Sequence, residues 1–235
     1  MIFESITFAG HSAVFFNASN KVVAIDPWLE GNPRCPNTLM NPSKLDLIVL
    51  THGHSDHAND VVRLSKSTGC KIAATFELCS LLVQAGIPES RIIYMNKGGT
   101  VDVDGVLVTL TNAYHSSSFE TERGAVYAGE PCGVILRDEK RAIYHAGDTS
   151  LFSDMSLIKE FYAPQVALLP IGDRFTMGPK EAAKAAKLVG CTTAIPIHYD
   201  TFDLLTGTAK EFQTACGQFQ ISTTILAPGE SLELN

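Results

Sequence analysis

Three histidines and an aspartate lie within one seven-residue segment, THGHSDH, which spans Thr51 to His57. The chain has only seven histidines in all. Three imidazoles so close together would repel one another if they were protonated, and they have no evident packing role. Imidazole nitrogens and carboxylate oxygens form a ligand set that suits Zn²⁺, with Fe or Mn as alternatives. The segment therefore predicts a metal site.

Three further histidine or aspartate residues follow later apolar segments. His115 comes after VLVTLTNAY, Asp148 after RAIYHAG, and His198 after TTAIPI. A single histidine at such a position is more often an ordinary polar residue than a ligand. With the HxHxDH cluster, however, these residues complete a ligand count, and loops at one edge of a rigid sheet commonly assemble such sites. The predicted metal ligands are His52, His54, Asp56, His57, His115, Asp148 and His198.

The spacing of these ligands predicts two metal ions. In a tight turn, the first two histidines of the cluster can face one point while its Asp-His pair faces a second. His115 then completes the first site and His198 the second. Two ions about 3.5–4 Å apart require a bridging anion besides solvent, and Asp148, on a glycine turn, is placed to provide it. Each ion keeps room for a shared hydroxide.

Short β-rich segments dominate both halves of the chain and must position these residues. SITFAG, SAVFFNAS, KVVAID and LDLIVL precede the cluster, and CGVILRD, RAIYHAG, VALLPI and TTAIPI follow it. The C-terminal TTILAPGESLEL is expected to finish the sheet. Helical spacing follows selected strands, as in the segment that begins at Pro179. The pattern predicts an α/β fold of two packed sheets with helices outside. We expect one domain over residues 1–235, with pseudo-repeated halves of about 1–120 and 121–235.

The composition limits the classes of partner. A formal net charge of −7 gives no basic field that would attract nucleic acid or an anionic membrane. No apolar run approaches the roughly 20 residues of a membrane span, and the N-terminus lacks the basic region of a signal peptide. Six cysteines without a CxxC pair suit reduced thiols. We therefore expect a cytoplasmic protein with a small-molecule substrate and neither nucleic acid nor membrane as partner, and a homo-oligomer stays open.

THGHSDH, followed by His115, Asp148 in HAGDT and His198 in IPIHYD, closely resembles the metallo-β-lactamase superfamily over nearly the whole chain. The resemblance implies a four-layer αββα sandwich with a dinuclear site at the sheet edge, on which the superfamily hosts many chemistries. Four short segments are similar to those of small metal-dependent hydrolases related to L-ascorbate-6-phosphate lactonase: GHS (10–12), DPWL (26–29), HAGDT (145–149) and IGDRFTMGP (171–179).

Residues outside the ligand set also receive expected roles. Asp26, which ends KVVAID, resembles a family aspartate that hydrogen-bonds a ligand histidine, although the residues alone fit a turn aspartate before proline equally well. The resemblance places His11 and His145 near the metal edge, where we expect His11 to bind substrate and His145 to act in catalysis, with plain polar residues at strand ends as the alternative for both. Arg174 can bind an anionic substrate group, with a surface salt bridge as the alternative. Asp56 is both a ligand and the holder of the nucleophile's proton.

The ligands and the resemblance together predict a metal-dependent hydrolase. Two divalent ions, with Zn²⁺ favoured over Mn or Fe, would provide a hydroxide for attack on a small ester, lactone or phosphodiester that can be anionic. Two alternatives stay open: a nucleic-acid phosphodiesterase or nuclease, and a non-hydrolytic redox or sensor metalloprotein. The sequence differs from two branches of the superfamily, because di-zinc β-lactamases carry a cysteine where Asp148 stands and flavodiiron oxidoreductases carry glutamate where His54 stands. These differences argue against both of those activities.

Overall fold

The structure is a computed structural model that describes residues 3–18 and 20–234. Met1, Ile2, Ser19 and Asn235 lie outside the described residues. The predicted strand SAVFFNAS is therefore compared only up to Ala18, and over that range it is a strand, as are the other β-rich segments that precede the histidine cluster.

The first sheet of the described structure contains seven strands. In chain order they are Phe3–Gly10 (β1), Ala13–Ala18 (β2), Lys21–Ile25 (β3), Leu47–Val49 (β4), Lys71–Thr75 (β5), Ile92–Met95 (β6) and Ser231–Glu233 (β16). Their spatial order is β16-β1-β2-β3-β4-β5-β6. Strands β3 to β6 are parallel neighbours, while β2 is antiparallel to both β1 and β3. Consequently β1, β3 and β4 point in one direction.

The second sheet, within the described ranges, also contains seven strands. They are Thr100–Val103 (β7), Val106–Asn112 (β8), Cys132–Arg137 (β11), Ala142–His145 (β12), Val166–Pro170 (β13), Thr193–Ile197 (β14) and Ser222–Thr223 (β15). Their spatial order is β15-β14-β13-β12-β11-β8-β7. Because β11 is antiparallel to β8 and β12, and β12 to β15 are parallel, β8, β12 and β14 share one direction. A two-residue turn at Asp104-Gly105, a pair typical of β-hairpins, joins β7 to β8.

Helices cover the outer face of each sheet. The α-helices are Ser55–Ala58 (α1), Val61–Thr68 (α2), Phe76–Gln84 (α3), Met155–Tyr162 (α4), Pro179–Val189 (α5) and Ala209–Gly217 (α6), and a 3₁₀ turn spans Glu89–Arg91. Helices α1 to α3 pack on the first sheet and α4 to α6 on the second. The four-layer αββα sandwich is confirmed. Among the described residues, no helix has the length and apolar character needed to cross a membrane.

Alternation along the strands divides the apolar side chains among three cores. In β2, Val14 and Phe16 point into the core between the two sheets, while Phe15 points toward the helices. Strand β4 repeats this pattern with Leu47 facing the other sheet and Ile48 facing the helices. Full burial of one such side chain contributes about 1.5–3 kcal/mol, so a one-residue register slip would exchange both faces and is strongly disfavoured.

The C-terminal segment differs from the sequence prediction. Within TTILAPGESLEL only the first residues lie next to the second sheet, because β15 ends at Thr223. Strand β16 instead pairs antiparallel with β1 in the first sheet, and its Leu232 packs against the core between the sheets. The prediction that this segment finishes the sheet is therefore confirmed for Thr223 in β15 and wrong for Ser231–Glu233. The sequence patterns also miss α4, α6 and a separate hairpin of Ser118–Thr121 (β9) and Gly124–Tyr127 (β10).

Candidate metal centre

Six strands deliver the predicted site residues to one edge of the sandwich. In the first sheet, His11 follows β1, Asp26 follows β3, and the THGHSDH segment follows β4. In the second sheet, the residues that follow β8, β12 and β14 are His115, Asp148 and His198. Because the strands of each set point in one direction, their carboxyl ends bring all these side chains together.

The first donor group consists of His52, His54 and His115, whose ligand atoms lie within 4.8 Å of one another. His52 Nε2 is 3.0 Å from His54 Nδ1. The ring of His115 lies 5.2 Å, centroid to centroid, from each of the other two. These are the three histidines that the sequence assigns to the first ion, and the fold brings them together from both sheets.

The second donor group consists of Asp56, His57 and His198. Asp56 Oδ2 is 3.9 Å from His198 Nε2, and the rings of His57 and His198 are stacked with centroids 5.8 Å apart. Both rings are buried, whereas the side chain of Asp56 is 28% exposed. Solvent therefore reaches this group on the Asp56 side. The ligand atom of His11 also lies within 4.8 Å of those of the group.

Asp148 lies between the two donor groups. Its Oδ1 is 3.4 Å from His57 Nε2, and its Oδ2 is 3.1 Å from His198 Nε2 and 3.6 Å from His115 Nε2. One carboxylate thus reaches ligand atoms of both groups, which is the position that a bridging ligand requires.

The turn at Gly147 places Asp148 close to the end of β4, which precedes the histidine cluster. Gly147 has φ +60°, and a Cβ at this position would lie 2.7 Å from Thr51 Cβ and 2.9 Å from the Cys132 carbonyl oxygen. Real Cβ atoms do not approach so closely, so only glycine fits. The missing side chain at Gly147 therefore lets the two sheets approach each other at the site.

Hydrogen bonds to Asp26 and Thr51 set the tautomers of two histidines in the donor groups, His52 and His57. Asp26 accepts hydrogen bonds from the Thr51 N–H (2.8 Å), the Thr51 hydroxyl (2.6 Å) and His57 Nδ1–H (2.8 Å). Since the single Thr51 hydroxyl proton goes to Asp26, the Thr51 oxygen accepts from His52 Nδ1–H at 2.9 Å. Both histidines therefore direct an unprotonated Nε2 into the site when they are neutral, as ligand histidines with an outer hydrogen-bond partner do.

Three of the site residues have left-handed backbone conformations, which residues other than glycine rarely adopt. The φ angles are +57° at His11, +47° at Asp26 and +54° at His198. Such residues cost roughly 1–3 kcal/mol each and persist where the surrounding structure holds them. Here the His11 carbonyl accepts a 2.7 Å hydrogen bond from His198 N, so two of these residues hold each other.

The donor atoms fit a divalent cation. Among the described residues, His57 Nε2 and Asp148 Oδ1 are buried polar atoms without a hydrogen-bond partner. Burial alone lowers the pKa of His57, but the Asp148 and Asp26 carboxylates outweigh it and hold the pKa well above its usual value. Burial raises the pKa of Asp148, but His198 and His57 outweigh it and hold the pKa well below its usual value. A metal ion can replace the proton that these groups otherwise share.

His145 lies at the metal edge, as expected, but its contacts differ from those expected of a catalytic group. Its ring is fully buried. Nε2–H donates to the Ser12 carbonyl at 3.0 Å, and Nδ1 accepts from Gly147 N–H at 3.1 Å. Both ring nitrogens are occupied by backbone groups, so neither is free to transfer a proton to substrate. The ring instead joins the turn that carries His11 to the turn that carries Asp148.

Arg174 lies on an exposed loop between β13 and α5. Its guanidinium group sits over the Phe175 ring, 5.7 Å from the centroid. The loop is fastened beside the metal edge, because Met177 N donates to the Thr149 carbonyl at 3.2 Å. The structure thus places Arg174 near the site but outside both donor groups, and its contact with substrate stays a prediction.

Two threonines of the site were missed by sequence reasoning. Thr51 directly precedes the first ligand histidine, and that adjacency is the signal that could have found it. Thr201 Oγ1 lies 3.0 Å from His11 Nδ1 across 190 positions of sequence. No local pattern reports such a contact.

Comparison with known proteins agrees with this architecture. A family profile described as a beta-lactamase superfamily domain matches residues 14–199. A UPF0173 metal-dependent hydrolase of Rubrobacter xylanophilus is 44% identical over 232 residues, which cover 97% of this chain and 95% of that protein. A UPF0173 metal-dependent hydrolase of Methanosarcina barkeri is 42% identical over 237 residues and covers 100% of both chains. The solved structure of Igni18, a metallo hydrolase from Ignicoccus hospitalis, matches with a TM-score of 0.88 and 35% identity over 100% of this chain and 99% of that one.

Fold and donor set define a metallohydrolase of the αββα class. The chain belongs to the beta-lactamase superfamily and, within it, to the UPF0173 metal-dependent hydrolases. It is therefore an enzyme, a metal-dependent hydrolase, and the predictions of superfamily and enzyme class are confirmed.

Proposed function

We propose that this enzyme uses two divalent metal ions to hydrolyse a small ester, lactone or phosphodiester, which can be anionic. Zn²⁺ is the favoured metal, with Mn or Fe as alternatives. The observation that carries the proposal is the position of Asp148, whose carboxylate oxygens lie 3.1–3.6 Å from ligand atoms of both donor groups. In this proposal the first donor group holds one ion, the second holds the other, and Asp148 is shared.

The chain's own residues have separate tasks in this chemistry. When bound, two such ions supply a water whose pKa is lowered to about 7 and polarise the substrate oxygen. Asp56, whose side chain is 28% exposed, meets incoming solvent and holds the proton of the attacking water. Asp26 and Thr51 orient the ligand histidines. His145 braces the turns on either side of the site and is a positioning residue.

The substrate is proposed to be a small molecule. The net charge of −7 disfavours nucleic acid and anionic membranes as partners. Arg174, exposed on its loop beside the metal edge, is the proposed contact for an anionic group of the substrate. All six cysteines are free and buried, which supports a cytoplasmic location with reduced thiols.

A panel of lactones, thioesters, phosphodiesters and sugar phosphates tests the proposal on protein of measured metal content. We expect turnover of at least one class by the wild type. Asp148→Ala and His54→Ala should each lower kcat/KM by more than about 100-fold. Each substitution removes a proposed metal ligand, and the loss of a residue that only hydrogen-bonds a ligand already lowers metal affinity or activity by about 10–100-fold. Circular dichroism should show that the fold is retained.

Asp154→Ala is the matched control, because Asp154 is an exposed aspartate at the start of α4 and should leave turnover unchanged. Full activity of thoroughly metal-stripped wild type would contradict the proposal. So would wild-type turnover by Asp148→Ala.

A further inference from the structure

His11 is built into the second donor group rather than onto its rim. It lies in the turn between β1 and β2, and its side chain is 0% exposed. His11 Nε2 is 3.0 Å from Asp56 Oδ2, and its ring centroid is 4.0 Å from that of His198. One ligand atom from each of His11, Asp56, His57 and His198 lies within 4.8 Å of the others. A side chain so enclosed has its ring nitrogen among metal donors, not facing a substrate cleft.

The hydrogen bonds of Thr201 favour the tautomer of His11 that carries its proton on Nδ1. The Thr201 hydroxyl donates to the Tyr199 carbonyl at 3.2 Å and lies 3.0 Å from His11 Nδ1. A hydroxyl has one proton, so its oxygen accepts from His11 Nδ1–H. A neutral His11 then has a lone pair on Nε2, and this lone pair faces an Asp56 carboxylate oxygen at hydrogen-bond distance. A metal ion bound by both His11 Nε2 and the Asp56 carboxylate would satisfy the two lone pairs, and the ligand atoms of His11, Asp56, His57 and His198 are close enough together to hold one.

The same arrangement occurs at His52 and His57, where Thr51 and Asp26 accept from Nδ1–H and Nε2 points into the site. An outer acceptor on one ring nitrogen with the other nitrogen turned inward is the arrangement typical of metal-ligating histidines. The left-handed backbone of His11, φ +57°, adds support, because strain of this kind is held at functional positions.

We propose that His11 is a direct ligand of the second metal ion, in addition to Asp56, His57, His198 and the shared Asp148. This assignment rests on the proposed dinuclear centre and replaces the substrate contact expected for His11. The GHS segment then belongs to the metal motif, and the turn between β1 and β2 supplies a donor to the centre.

Two substitutions separate ligation from hydrogen bonding. In His11→Gln the amide N–H can still donate to Asp56 but no imidazole is present, whereas His11→Ala removes both functions. Wild type and variants are loaded with Co²⁺ and dialysed, and bound cobalt and the visible d–d spectrum are measured. We expect two ions per chain in the wild type. Both variants should keep one ion, bind the other at least about 10-fold more weakly, and lose the second ion's spectral contribution.

The outcomes distinguish this assignment from the function on which it rests. His11→Gln with two ions at wild-type affinity and an unchanged spectrum overturns the assignment and leaves the dinuclear centre in place. A wild type that holds only one ion overturns both. If the His11 variants do not fold, Thr201→Val carries the test, because it keeps the ring and removes its outer acceptor. We expect weaker binding of the second ion in Thr201→Val, and unchanged affinity there contradicts the assignment.

Discussion

The carboxylate of Asp26 lies behind the donor groups, where it accepts three hydrogen bonds from Thr51 and His57. Through Thr51 it also fixes the orientation of His52. One buried aspartate thus controls a ligand histidine in each donor group. At the scale of single residues, the chemistry of the centre depends on side chains that offer no donor atom to the metal in our proposal.

Asp26→Asn tests this dependence. Asparagine has one side-chain oxygen in place of two, so it can accept only some of the three hydrogen bonds that Asp26 accepts. Its NH₂ group would face another hydrogen-bond donor. We expect His57 to lose its partner and the metal affinity to fall by about 10–100-fold, measured by calorimetric titration of metal into stripped protein.

Asp46→Asn is the matched control, because Asp46 also accepts a backbone hydrogen bond, from Val22 N at 2.9 Å, but lies away from the centre. It should leave the metal affinity unchanged. Equal affinities of Asp26→Asn and wild type would show that Asp26 does not act through the ligand histidines.

At the scale of secondary-structure elements, the site depends on the turns that follow strands. Strands supply direction, and a short turn after each strand sets where its side chain points. The turn after β12 is one such constraint, since a Cβ on Gly147 would lie 2.7 Å from Thr51 Cβ of the other sheet. Packing between sheets, not the turn alone, therefore places Asp148.

Gly147→Ala is expected to lower the stability of the protein more than an alanine at another glycine that has a similar positive φ but has free space around it. Gly69 at the end of α2 has φ +77°, and a Cβ at this position would meet no heavy atom within 4 Å. Gly69→Ala should lower the free energy of unfolding by about 1–2 kcal/mol. Gly147→Ala should lower the free energy of unfolding by about 1–3 kcal/mol more, because the added methyl group overpacks the contact with Thr51. It should also weaken metal binding.

Urea denaturation of both stripped variants, followed by metal titration, measures the two effects. Equal loss of stability in Gly147→Ala and Gly69→Ala, with metal affinity intact, would mean that the contact between the sheets at Gly147 is relaxed without consequence.

At the scale of the whole molecule, the donor groups join the two sheets. The THGHSDH segment belongs to the first sheet, and His115, Asp148 and His198 belong to the second. Ligands so distant in the chain come together only in the folded state, so metal binding adds to the free energy of folding.

Saturating metal should therefore raise the melting temperature of the stripped protein. At a free metal concentration about 1,000 times the dissociation constant, one site contributes about 4 kcal/mol, or roughly 8–16 °C for a chain of this size. Differential scanning calorimetry with increasing metal measures the shift. Asp148→Ala should show a much smaller shift, and an equal shift in both proteins would contradict the shared role of Asp148.

The sequence by itself predicted the candidate donor residues, their order along the chain and the two-sheet fold with outer helices. It could do so because strand alternation and the HxHxDH spacing are local patterns, and because each remaining candidate donor directly follows a strand-like segment of its own. The tertiary structure alone decided that β16 crosses to the first sheet, that Gly147 meets Thr51, and that Thr201 orients His11 from 190 positions away. These contacts follow from how the two sheets pack, and no periodicity within one segment encodes the position of a partner in another.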